Sequence, residues 1–161
     1  MTAKFSKDGL LAELIGRTQA DLDALETAQR EAQAGATHAE AKAESDKDTR
    51  AVEQSYLARG QAKRVEELRA ALAALKAVEL RPFKPNDAVA VGALVTLDGD
   101  GEPRRFFVAP EGGGTRLAGG RVQVVTPKSP LGEALIGSRP GDDCSVMVAG
   151  KLLELELTAV E

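Results

Sequence analysis

The chain has 161 residues and a net charge of −4, which leaves room for one ordinary domain or for a small domain beside an extended element. Aromatic residues make up only 3%; a single large core would use more of these bulky fillers, so the second arrangement is favoured. The acidic balance argues against the whole chain being a general binder of nucleic acid or anionic membrane and leaves local patches open, and a lone cysteine, Cys144, excludes an intramolecular disulfide and a multi-cysteine metal site.

Residues 1–7 are polar, and Glu13, Arg17, Asp21 and Asp23 interrupt the apolar positions that follow. The expectation is a cytoplasmic protein with neither signal peptide nor membrane span. From Leu11 through Ile15, Thr18, Leu22, Leu25, Gln29, Ala32, Ala36, Ala39 and Ala43 the chain steps by four and three, the spacing of a coiled-coil seam. The stepping returns through Ala51, Gln54, Ala58, Gln61, Val65, Leu68, Leu72 and Leu75. Two seams on one short chain bury each other if the chain folds back, and pairing Leu11 or Leu14 with Leu75 puts the bend near 43–45. Each arm is then roughly 30 residues, about 45 Å long. Leu and Ile give way to Ala and Gln toward the bend, which predicts closely approaching helices there and a slender, weakly stabilised end.

The composition changes at Arg81-Pro82-Phe83-Lys84-Pro85-Asn86, where two prolines stop a helix and favour an extended link. This gives a helical hairpin over 1–80 with its tip near 43–48, a linker over 81–86 and a strand-rich domain over 87–161. In that domain 87–97 reads as a strand ending at the turn signal Asp98-Gly99-Asp100-Gly101, with 104–108 returning and 121–126 as a third strand. Ser129 then caps a short helix with Pro130 in its first turn and Gly137 just past its end. Residues 144–148 and 152–160 make a last hairpin. The fold class is α+β.

Glu44, Asp46 and Asp48, with Glu40 one turn before, form an acidic cluster at the expected bend. Carboxylates held together there can bind a divalent cation or orient a water. Ser45 followed by Asp48 also reads as a capping box for the second helix, so both roles stand at this point. Arg59, Lys63, Arg64 and Arg69 suit the tracking of a phosphate backbone such as RNA, or an ordinary charged face paired with Glu66 and Glu67. His38, the one histidine, excludes a His-based triad and a multi-histidine zinc site. Counted from Asp98, a calcium loop would need Gly and Glu where Pro103 and Ala109 stand, so a hairpin turn is read there.

The segment Ser129-Pro130-Leu131-Gly132, then Ala134-Leu135-Ile136-Gly137 and Gly141-Asp142, together with Lys63-Arg64-Val65-Glu66-Glu67-Leu68, resembles the Gre family of bacterial transcript cleavage factors. The resemblance implies a coiled-coil hairpin followed by a small FKBP-like domain. It implies binding to bacterial RNA polymerase, with the hairpin in the secondary channel and tip acids Glu44, Asp46 and Asp48 directing a shared Mg2+ ion to backtracked nascent RNA. Lys128, Ser129 and Pro130 fall on the docking segment. Such a factor would be a monomer with no catalytic centre and no stably bound cofactor of its own.

At the tip the chain departs from the family pattern: Glu44 stands at its Asp position, but Lys47 falls where the second acid belongs unless Asp48 serves after a one-residue shift. Lysine repels the metal that the acid would attract. Docking is therefore implied more strongly than cleavage, and Lys128 itself replaces a common acid. The alternatives are a channel-occupying regulator without cleavage, a prolyl isomerase, which needs an aromatic-lined pocket, and a coiled-coil module that dimerises.

Overall fold

The computed structural model describes residues 4–40, 47–99 and 101–161. Two long helices, α1 (Lys7–Glu40) and α2 (Lys47–Lys76), precede β1 (Leu94–Asp98), β2 (Arg104–Val108), β3 (Arg116–Leu117), β4 (Val122–Val125), α3 (Pro130–Leu135), β5 (Asp143–Val148) and β6 (Lys151–Val160). Among the described residues no helix is long and apolar enough to cross a membrane. The chain forms two compact units, Gly16–Leu72 and the combination of Met1–Ile15 with Ala73–Glu161.

In the helical unit, Thr18 and Leu22 of α1 and Val65, Leu68 and Leu72 of α2 are buried, which is the seam the spacing predicts. The helices run antiparallel: Arg69 bonds Glu26 at 2.8 Å, while farther along the pair Gly35 and Leu57 line one cleft. That cleft, about 700 Å³, is also bounded by Gln29, Ala32 and Ala58. Small residues offer little apolar area, so the helices gain little from burial here.

The second unit is built on a six-stranded mixed sheet in the order β3-β4-β2-β1-β6-β5. Only the β2–β4 pair is parallel, with Phe106 opposite Gln123 and Phe107 opposite Val124. Side chains alternate across a strand, so neighbours enter different cores. Phe107, Leu94, Val122 and Val124 pack with Leu10, Leu14 and Leu75 from the roots of α1 and α2. Phe106, Val95, Val108 and Val125 face the other way, with Leu135 of α3 and Cys144, Val146, Leu155 and Leu157 of the last hairpin.

The Val-rich stretch 87–97 is strand only from Leu94 onward. Val89 instead donates to Ser138 O at 2.8 Å and accepts from Gly137 N at 2.9 Å, and Gly92 turns with φ +93°. The stretch thus ties down the end of α3 before it enters the sheet. The two-residue strand β3 was not expected; it lies between glycine turns and pairs Leu117 with Val122.

Candidate functional site

The segment Thr126-Pro127-Lys128-Ser129 leaves β4 and turns sharply into α3. Ser129 donates its Oγ hydrogen to Thr126 O at 2.8 Å and accepts from Gly132 N at 3.0 Å. One hydroxyl thereby reinforces the turn, which Ser129 N also closes onto Thr126 O at 3.1 Å, and satisfies an orphan amide of the helix start. Pro130 follows in the first turn, where its missing N–H costs nothing. Gly132 is required sterically: a Cβ there would lie 1.7 Å from Thr126 O. Lys128 and Pro130 are left exposed and Ser129 half-buried.

Ser129, Pro130 and Leu131 form one wall of a pocket of about 450 Å³. Val125, Val146, Leu155 and Phe106 make it apolar, and Arg104 and Gln123 supply its polar lining with Ser129. Beside it, Met147 and its cross-strand partner Leu152 are about 60% and 59% exposed, an uncovered apolar pair on the last hairpin. Phe106 is the aromatic that lines this pocket. Phe107 is fully buried on the opposite side of the sheet, and the ring of Phe83 carries Arg81 at 3.9 Å and Lys7 at 4.7 Å. Phe83 and Phe107 therefore lie away from this pocket. Arg104 and Gln123 escaped the sequence reading, although strand alternation puts Arg104 on the same face as Phe106 and marks it as a rim residue.

Glu44 and Asp46 lie outside the described residues; Asp48 falls in the first turn of α2, and its side chain lies outside them too. The tip cation reading thus rests on sequence alone. Among the described residues, no three His, Cys, Asp or Glu side chains are grouped to hold a metal. On α2, Arg59 and Lys63 are exposed, whereas Arg64 pairs with Glu67 at 3.4 Å and Arg69 with Glu66 at 2.9 Å and Glu26 at 2.8 Å. Half of the basic cluster is engaged within the hairpin, and Arg59 and Lys63 present their charge to solvent.

Residues 84–161 match the family profile of the transcription elongation factor GreA/GreB C-terminal domain. This stretch is a Gre-family C-terminal domain. No curated protein matches its sequence significantly. Among solved structures, GreA factor homolog 1 of Thermus thermophilus is 18% identical, with 91% of this chain and 94% of that chain covered and a TM-score of 0.41. Its Thermus aquaticus counterpart is 18% identical, with 91% and 92% covered and a TM-score of 0.42. A GreA/GreB factor of Nitrosomonas europaea is 19% identical, with 58% and 78% covered and a TM-score of 0.38. At such scores these likenesses add nothing to the family assignment, which rests on the Gre domain. Within that domain lie the Ser129 turn, α3 and the apolar pocket.

Proposed function

We propose that this Gre-family chain is a cytoplasmic factor that binds bacterial RNA polymerase and acts through the polymerase's catalytic centre. The observation that carries the reading is the Gre domain over 84–161. Lys128, Ser129 and Pro130 serve as its docking segment, held by a rigid helix start and flanked by an apolar pocket that can seat a side chain of the partner. The helical pair supplies the element that enters the secondary channel. There Glu44, Asp46 and Asp48 contribute negative charge toward a Mg2+ ion shared with the polymerase, while Arg59 and Lys63 face the nascent RNA.

Lys47 within the acidic tip favours a second reading, a channel-occupying regulator without cleavage activity. The two separate in a stalled, backtracked elongation complex supplied with magnesium. A cleavage factor shortens the nascent transcript, and Asp46→Asn with Asp48→Asn abolishes the shortening while binding persists. A regulator binds without shortening the RNA, and its effect on nucleotide addition survives the double substitution. Absence of binding removes both.

A further inference from the structure

Phe5 packs at the edge of the core beneath β2 and β4, and two guanidinium groups share its ring. The Arg105 carbon lies 5.1 Å from the ring centroid and the Arg121 carbon 5.0 Å. Both distances are within the range in which an aromatic quadrupole attracts a cation. Two like charges on one ring repel each other, and among the described residues no carboxylate pairs with either. The arrangement therefore gathers two positive charges on one ring in a chain whose net charge is −4.

Arg121 is held from below. Arg121 donates its Nε hydrogen to Ala118 O at 2.9 Å, and that carbonyl belongs to a turn in which Ala118, Gly119 and Gly120 all have positive φ, between 53° and 88°. Glu13 of α1 pins the same turn by accepting from Ala118 N at 3.0 Å. Arg105 lies within β2, opposite Thr96 on one side and Val122 on the other. A planar guanidinium presents its N–H groups as a fork that matches an oxyanion, and less is lost on binding when the fork is already fixed.

We propose that Arg105 and Arg121, mounted on Phe5, bind a carboxylate of an acidic segment in a partner protein. Charge complementarity chooses the occupant. Nucleic acid would reward a longer basic strip, one cation for each phosphate neutralised, whereas this site offers two guanidinium groups on one ring. The site is separate from the docking segment and stands whether or not the polymerase reading holds.

The test follows the arginine Nε–H signals of the full chain by NMR during titration with a hexaglutamate peptide. The signals of Arg105 and Arg121 are expected to shift together along one saturable curve that weakens with added salt. Arg105→Gln with Arg121→Gln should abolish that curve. Phe5→Leu keeps both charges and should weaken binding about threefold, the loss expected when a cation–π support is removed. Thermal unfolding of each variant verifies that the fold is retained. The proposal is overturned if shifts spread equally to Arg59, if a folded Phe5→Leu variant binds as tightly as the parent, or if single-stranded RNA of equal charge saturates the site at lower concentration.

Discussion

The Ser129 hydroxyl is both a donor and an acceptor, so removing it leaves the Thr126 turn with only the Ser129 N–H bond at 3.1 Å and uncaps α3 in one step. Ser129→Ala should lower stability by about 1 kcal/mol, the usual cost of a lost N-cap, measured by urea unfolding. Gly132→Ala should cost more, about 2 to 3 kcal/mol, because its methyl meets the Thr126 backbone and not a yielding side chain. Asp87 accepts from Lys84 N at 2.8 Å and from Arg81 at 3.4 Å. The Lys84 amide chiefly, with Arg81, holds its carboxyl below the usual carboxylate range. A depressed folded-state value stabilises the fold above the unfolded pKa, and that stabilisation is lost as pH falls through the folded value. The Lys84 amide resonance should therefore titrate below an ordinary aspartate midpoint, and Asp87→Asn should remove the transition; a midpoint at the ordinary value contradicts the bonding. The cap was legible because Ser-Pro followed by Gly is a local signal. Arg105, Arg121 and Phe5 were not, since their meeting depends on a parallel strand pair and on a turn pinned from α1.

At the scale of elements, the seam was readable as far as apolar side chains fill it. Thr18, Leu22, Val65, Leu68, Leu72 and Leu75 are all buried as the spacing requires. At the root of α1, Leu10 and Leu14 are the buried pair, while Leu11 and Ile15 pack partly buried against the same cluster. There the helix faces the sheet as well as α2, so its apolar stripe is wider than a two-helix seam. Gly35 and Gly60 sit inside long helices where an added Cβ would meet nothing within 4 Å. Each replacement by Ala should stabilise the helical unit by about 1 kcal/mol through backbone entropy alone. Thermal unfolding followed at 222 nm is expected to shift upward for both; a downward shift would mean that the glycines serve a contact or bend. The start of β1 was misread because a Val-rich run says nothing about which backbone it bonds, and Val89 bonds the loop after α3.

For the whole molecule, composition already separated a helical part from a strand-rich part, and the Gre domain accounts for the second. What the pattern of apolar residues could not give was the parallel β2–β4 pairing, because strand order depends on long-range closure. The proposed docking of this domain on RNA polymerase is tested by fluorescence anisotropy of the full chain, labelled at its N-terminus, titrated with purified bacterial core polymerase. Saturable binding is predicted, weakened at least about tenfold by Pro130→Gln, which alters the exposed docking surface while leaving the Ser129 cap in place. An absence of binding, or binding indifferent to Pro130→Gln, would contradict the account.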